Sequence, residues 1–82
     1  MREARRRIRT LFTGIVQGVG FRPFIYRFAT KHRLGGFVCN TPEGVIAEVE
    51  GSAGSIENFS SELLKSIPPA ADVSGISNTE VA

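Results

Sequence analysis

Three glycines and one arginine make the segment Gly14–Arg22 the part of this sequence best suited to bind an anion. Glycine readily adopts positive φ angles, so the glycines can turn several backbone N–H groups toward one point. The pattern after Gly20 is helical, and the free amides and dipole of a helix N-terminus favour negative charge. Arg22 adds a planar guanidinium that can bind two oxygens of a phosphate or carboxylate. The segment predicts an anion-binding cradle built from Arg22 and the backbone amides of Val16, Gln17, Gly18, Val19, Gly20 and Phe21.

Residue spacing excludes two common nucleotide-binding loops. A Walker A loop ends in Gly-Lys-Ser or Gly-Lys-Thr, and neither follows Gly20. A dinucleotide-binding loop has a third glycine and a later acidic ribose ligand, which are absent after Gly18-Val19-Gly20. A plain strand-to-helix connection with an exposed arginine stays open as an alternative on spacing alone.

The composition is typical of one small globular domain. The chain has 82 residues, of which 41% are hydrophobic and 22% charged, and no apolar run approaches the ~20 residues that span a bilayer. One cysteine excludes an internal disulfide framework, and the N-terminus lacks the apolar stretch of a secretory signal, so we expect a cytoplasmic protein. The net charge is +2, but five arginines and one glutamate fall in the first nine residues. We expect residues 1–7 to form a basic, solvated leader.

Hydrophobic periodicity predicts the element order βαββαβ. Strands are expected over 8–15, 37–41, 45–50 and, more weakly, 73–81. One helix begins at Phe21 and ends at Gly35-Gly36, and another follows an N-cap at Ser55 and stops before Pro68-Pro69. Apolar residues on both faces of the first strand indicate a central position. This order predicts an α+β, ferredoxin-like sandwich, with an antiparallel or mixed sheet and both helices on one face.

The same periodicity sorts individual side chains into a core and a surface. Phe24, Phe28, Phe59 and Leu63 are expected to share one core between the helices and the sheet. Cys39 is also expected to point into the core. Four polar residues are expected on solvated faces, namely His32, Glu43, Glu48 and Glu50.

Two separated motifs resemble those of the acylphosphatase family. The first is Gly14-x-Val16-Gln17-Gly18-Val19-x-Phe21-Arg22, and the second is Gly36-x-Val38-x-Asn40-Thr41-x-x-Gly44. The resemblance covers about residues 8–67 and implies hydrolysis of a carboxyl–phosphate anhydride without a metal or other cofactor. It implies that Arg22 and the loop amides bind the phosphoryl group while Asn40 orients the attacking water. Taken alone, an asparagine at a strand end can equally cap a turn.

A finer resemblance involves Phe21-Arg22-Pro23-Phe24 and Pro68-Pro69, which are similar to the N-terminal acylphosphatase-like domain of the HypF carbamoyltransferases of nickel–iron hydrogenase maturation. It implies carbamoyl phosphate as the small-molecule substrate, and residues 1–82 as a single domain whose partners are the other domains of a longer protein. Acylphosphatase-type domains usually carry one more short strand, so we expect this sequence to stop before it.

Three other functions are alternatives to this one. A free-standing acylphosphatase of broad specificity and a non-catalytic domain that binds a regulatory anion both stay open. An RNA-binding module is disfavoured because the third predicted strand, Val45–Glu50, carries glutamates and no aromatic residue on which a base can stack. We therefore expect neither nucleic acid nor a membrane as a partner, and the sequence leaves the oligomeric state open.

Overall fold

The computed structural model describes residues 4–81, which form a four-stranded sheet and two helices. The elements are β1 (Arg5–Ile15), α1 (Phe21–Lys31), β2 (Gly35–Thr41), β3 (Gly44–Ser52), α2 (Ala53–Lys65) and β4 (Asp72–Glu80). The strand order is β2-β3-β1-β4, and all three pairings are antiparallel. The predicted α+β, ferredoxin-like βαββαβ fold is therefore confirmed, with β1 in the centre of the sheet.

The core lies between the two helices and one face of the sheet. Alternate residues of β1 and β3 line that face, because Phe12 pairs with Val45 and the buried Ala47 and Val49 follow at two-residue steps. Sixteen further hydrophobic positions complete or flank the cluster, among them Phe21, Phe24, Ile25, Ile56, Phe59 and Leu63, which are buried. Of the predicted core, Phe24, Phe59 and Leu63 are buried, while Phe28 is partly buried and packs against them.

The predicted end of the first helix at Gly35-Gly36 was wrong, because the helix ends earlier. α1 ends at Lys31, and both glycines lie in β2. Arg33 has a φ of 58°, its N–H donates to Thr30 O at 3.0 Å, and Leu34 N donates to Ala29 O at 2.9 Å. These two bonds form a Schellman motif in which an arginine occupies the left-handed position usually held by glycine. The side chain of Leu34 packs against the core, which favours this early turn.

The second helix also begins earlier than predicted, and the N-cap is Ser52 rather than Ser55. β3 continues to Ser52 because Ser52 pairs with Arg5 of β1, so no loop separates the strand from the helix. The Ser52 hydroxyl then accepts a hydrogen bond from Ser55 N at 3.1 Å. Ser55 is the residue that is capped, not the cap.

The expectation of a solvated basic leader was wrong for residues 5–7, because they form the start of β1. The expectation for residues 1–3 lies outside the described residues. The arginines pair with β3 through their backbone, Arg5 with Ser52 and Arg7 with Glu50. Their side chains form ion pairs with glutamates on the neighbouring strands, as in Arg6 to Glu80 at 2.5 Å. Alternating arginines opposite glutamates are favourable cross-strand pairs, which explains why the strand begins early.

Glu48 was expected on a solvated face, but the residue is only 5% exposed. Its carboxylate accepts hydrogen bonds from Arg7 Nε and, at 2.9 Å, from Arg9 Nε. The Arg7 guanidinium is the main reason that the pKa of Glu48 is lowered, and burial acts in the opposite direction. The charge is buried because two arginine side chains lie over it and pair with it.

Two further expectations about side chains were wrong. His32 is not a free surface residue: its side chain is 15% exposed, bonds to Glu62 of α2 and lies edge-on to the Phe59 ring. Glu62 thus joins the C-terminus of α1 to α2, and its pKa is lowered by Lys31 first and His32 second. Cys39 pairs with Ile46 on the face of the sheet opposite the helices, so it is half-buried outside the core.

Candidate anion-binding site

The loop between β1 and α1 is held at both ends by buried side chains. Val16 and Phe21 are each 1% exposed. The Phe21 ring lies edge-on to Phe12, with ring centroids 5.2 Å apart, and contacts Phe24 at 5.6 Å. Val19 also packs against the core, whereas Gly18 and Gly20 are exposed. The hydrophobic residues of the predicted loop therefore fix its backbone, whereas Gln17, Gly18 and Gly20 are exposed.

Two exposed glycines of this loop adopt a left-handed backbone conformation. Gly18 has a φ of 74° and Gly20 a φ of 76°, and Gly20 is the N-cap of α1. No heavy atom outside the neighbouring residues lies within 4 Å of the Cβ that either glycine lacks. Glycine is therefore favoured here by backbone conformation and not by lack of space.

The N-terminus of α1 has no internal cap, in contrast to α2. α2 begins at a serine that accepts a hydrogen bond from its first turn, but α1 begins at Gly20 with no side-chain cap. Among residues 4–81, no backbone carbonyl outside the helix accepts a hydrogen bond from the N–H groups of residues 17–22. The first turn contains no acidic residue. Uncapped amides at the positive end of a helix dipole favour an external anion.

Arg22 is the second residue of α1 and is exposed. Within the described part of the chain its guanidinium forms no ion pair. The arginines of β1 differ, since Arg5, Arg6 and Arg7 all pair with glutamates. Arg22 is thus a charged group next to the uncapped amides that no carboxylate of residues 4–81 neutralises.

Sheet topology brings Asn40 to the same end of the molecule as the loop. β1 and β2 are both antiparallel to β3, so they run in the same direction and their C-terminal ends meet at one end of the sheet. Asn40 pairs with Val45, which in turn pairs with Phe12, three residues before the end of β1. Directly opposite residues share a face, so Asn40 lies on the face covered by the helices.

The turn after Asn40 is closed by Thr41. The Thr41 hydroxyl accepts hydrogen bonds from Glu43 N and Gly44 N, each at 3.2 Å, and lies 3.2 Å from Gly44 O. Asn40 is exposed, and its side chain forms no hydrogen bond with residues 4–81. The capping role that an asparagine at a strand end can play is therefore carried by its neighbour.

The side chain of Gln17 joins the loop to this turn, a contact that sequence reasoning missed. Gln17 Nε2 donates to Thr41 O at 2.7 Å and to Gly44 O at 3.1 Å. The sequence pattern predicted a role for the backbone amide of Gln17 alone. The available signal was a long amide side chain in a loop whose other members are glycine or valine. The contact fixes the loop against the end of the strand that carries Asn40.

Other features of the described chain lie away from this site. An apolar groove of about 240 Å³ separates α1 from β2, and its lining includes Tyr26, Leu34, Phe37 and Val38 but neither Asn40 nor any loop residue. No three His, Cys, Asp or Glu side chains of residues 4–81 are grouped as metal ligands would be. Neither helix in residues 4–81 has the length and apolar character needed to cross a bilayer.

Comparison with known proteins places these features in a family. The family model described as Acylphosphatase matches residues 8–82. The Acylphosphatase of Caldivirga maquilingensis is 45% identical over 73 residues, which are 85% of this chain and 75% of that protein. The Carbamoyltransferase HypF2 of Cupriavidus necator is 43% identical over 76 residues, covering 93% of this chain.

A solved structure agrees with these relatives. The crystal structure of full-length HypF in its phosphate- and nucleotide-bound form has a TM-score of 0.94 and 37% identity, covering 99% of this chain and 11% of that one. The chain spans 9% of the length of the C. necator carbamoyltransferase. These relatives are of two kinds, small acylphosphatases and single domains within much longer carbamoyltransferases.

Proposed function

Because the chain belongs to the acylphosphatase family, we propose that it hydrolyses the carboxyl–phosphate anhydride of carbamoyl phosphate, as one domain of a longer carbamoyltransferase of nickel–iron hydrogenase maturation. The products are carbamate and inorganic phosphate. Support for the carbamoyl group comes from the HypF relatives and from the TM-score of 0.94 with full-length HypF.

One observation carries the proposal: within residues 4–81, an uncapped helix N-terminus and an Arg22 without an ion pair lie at the end of the sheet where Asn40 is exposed. An acyl phosphate has a good leaving group, so the enzyme needs no nucleophile of its own. It must hold the phosphoryl oxygens, neutralise their charge and direct a water molecule at phosphorus. The loop amides can hold the oxygens and Arg22 can neutralise their charge, because fixed dipoles and charges of this kind stabilise developing charge without reorganisation.

Asn40 is assigned to the third need. Its side-chain amide offers both an acceptor and donors, which is sufficient to orient one water molecule in line with the leaving oxygen. A carboxylate base at that place would be repelled by the phosphate. A neutral amide avoids this repulsion, and the family resemblance implies that the substrate's own phosphate takes the proton of the attacking water.

A second candidate, a free-standing acylphosphatase of broad specificity, is favoured by one observation. The C. maquilingensis acylphosphatase is 45% identical and this chain covers 75% of it, so a protein of similar size has a closely related sequence. The two candidates share the chemistry and differ in the acyl group.

The experiment is a phosphate-release assay on the purified chain with three substrates. Carbamoyl phosphate and benzoyl phosphate carry the anhydride with different acyl groups, and p-nitrophenyl phosphate is a phosphate monoester without one. We expect turnover of carbamoyl phosphate and none of the monoester. Equal kcat/KM for both anhydrides would favour the second candidate.

Two variants make the assay specific for the site. Arg22→Ala should lower kcat/KM, whereas Arg27→Ala, which removes an exposed arginine of the same helix, should not. A wild-type protein that releases no more phosphate from either anhydride than Arg22→Ala does would contradict the proposed hydrolysis and leave an anion-binding domain.

A further inference from the structure

We propose that Gln17 is a positioning residue, whose side chain holds the anion-binding loop at a fixed distance from Asn40. The inference rests on the proposed function, because it concerns the alignment of the two halves of that site. It adds a role for a side chain that neither binds the phosphate nor touches the attacking water.

The geometry of the contact assigns both N–H groups of the Gln17 amide. The two acceptors, Thr41 O at 2.7 Å and Gly44 O at 3.1 Å, are backbone carbonyls and cannot donate. Only the nitrogen end of the amide fits between them. Thr41 and Gly44 are the last paired residues of the β2–β3 hairpin, so Gln17 binds both strands where the hairpin turns.

Asn40 and the loop have few other connections that could fix their separation. The pairing of β1 with β4 is irregular between Thr13 and Gly14, and β1 ends at Ile15, just before the loop. The pairing of β1 with β3 ends earlier, at Phe12. Beyond Phe12, β1 pairs only with β4, through Gly14 with Val73 and Ile15 with Asp72, so the sheet does not tie the loop directly to the β2–β3 hairpin. The Gln17 contact supplies such a link, because its side chain binds the carbonyl of Thr41, the residue after Asn40.

A purely structural role in the turn is disfavoured by the hydrogen bonds that the turn makes without Gln17. The Thr41 hydroxyl accepts from two backbone N–H groups of the turn at 3.2 Å. The loop likewise has its own anchors in the buried Val16 and Phe21. The Gln17 side chain therefore links two segments that are each held locally, and what it adds is their relative position. A misplacement of ~1 Å at a catalytic group is enough to lower a rate by ~100-fold.

The test compares Gln17→Met with Thr10→Val. Methionine has a similar length and no N–H, so the first variant removes the link without emptying the space. Thr10→Val removes a different side-chain hydrogen bond of β1, the 2.6 Å contact with Asn78, at a distance from the loop. We expect Gln17→Met to lower kcat by ~10–100-fold while the inhibition constant of inorganic phosphate changes by less than ~3-fold. Thr10→Val should change neither.

Phosphate titration followed by NMR supplies a readout that does not need turnover. In the wild type, phosphate should shift the backbone amide signals of residues 17–22 and the side-chain amide signals of Asn40. In Gln17→Met the loop signals should still shift, but those of Asn40 should no longer respond. A Gln17→Met protein with wild-type kcat and a wild-type Asn40 response overturns the inference, as does a variant in which kcat and phosphate affinity fall together. If the wild type hydrolyses no acyl phosphate, the proposed function fails, and the Asn40 response alone decides the positioning role.

Discussion

Replacing Gly20 with alanine should lower both the stability of the protein and its affinity for phosphate. Gly20 has a φ of 76° at the N-cap of α1, and no heavy atom outside its neighbours lies within 4 Å of the Cβ position. The penalty is therefore conformational, about 1–2 kcal/mol for an L-residue in the left-handed region. A domain of 82 residues has an unfolding entropy of roughly 0.17 kcal/mol/K, so the expected fall in Tm is ~6–12 °C.

The loop can also avoid the penalty by abandoning the left-handed conformation, which would turn its amides away from the anion. Loss of one hydrogen bond to a charged group is worth ~1.5–3 kcal/mol, or ~10–150-fold in affinity. The assay is thermal unfolding by circular dichroism, together with competitive inhibition by phosphate.

Gly35→Ala is the matched control for this substitution. Gly35 has no positive φ and no heavy atom within 4 Å of its Cβ position. The Tm of the Gly35→Ala protein should therefore equal that of the wild type or be slightly higher. The Tm of Gly20→Asn should lie between those of the wild type and Gly20→Ala, because asparagine tolerates the left-handed region. A Gly20→Ala protein with unchanged Tm and unchanged phosphate inhibition would refute the view that this backbone conformation builds the site.

Three further predictions concern the fold. Ser52→Ala removes the cap of α2 and should lower the free energy of unfolding by ~1 kcal/mol in urea titration, while Ser60→Ala on the exposed face should not. Arg33→Gly relieves the positive φ of 58° at the end of α1 and should raise Tm by ~6 °C in a calorimetric scan; a lower Tm would contradict the Schellman assignment. Glu48 and Glu62 have pKa values lowered by cationic partners, so their stabilisation is present above the ordinary glutamate pKa of about 4.3 and is lost as the pH falls through the folded pKa. The urea concentration at the unfolding midpoint should fall as the pH is lowered below ~4.3, and this fall should be smaller in Glu48→Gln.

The loop and the order of elements could be read from local patterns in the sequence. Gly18 and Gly20 are followed by the stripe Phe21, Phe24 and Ile25, and the structure buries that stripe against the sheet. A glycine-spaced strand end and a helical period are properties of neighbouring residues, so no tertiary information was needed. The alternation of Val45, Ala47 and Val49 was predictable for the same reason.

The features that were missed depend on contacts distant in sequence. Glu48 is buried because arginines about 40 residues away cover it, as in the Arg9 contact at 2.9 Å. β1 begins at Arg5 because β3 offers glutamates and backbone partners there. The local pattern placed the cap of α2 at Ser55, but the cap is Ser52, to which the pairing with β1 extends β3. The Gln17 contact spans 24 residues and follows from no local pattern.

The central claim is a division of labour, in which Arg22 binds the phosphoryl group throughout the reaction and Asn40 acts while water attacks. The most direct measurement is the kcat of Asn40→Ala for acyl-phosphate hydrolysis beside its inhibition constant for phosphate, with folding checked by circular dichroism. Asn58→Ala, an exposed asparagine of α2, is the control. We predict that Asn40→Ala lowers kcat by at least ~100-fold with phosphate inhibition within ~3-fold of wild type, whereas Arg22→Ala weakens phosphate inhibition by ~10–150-fold. A folded Asn40→Ala protein with near-normal kcat would contradict the claim.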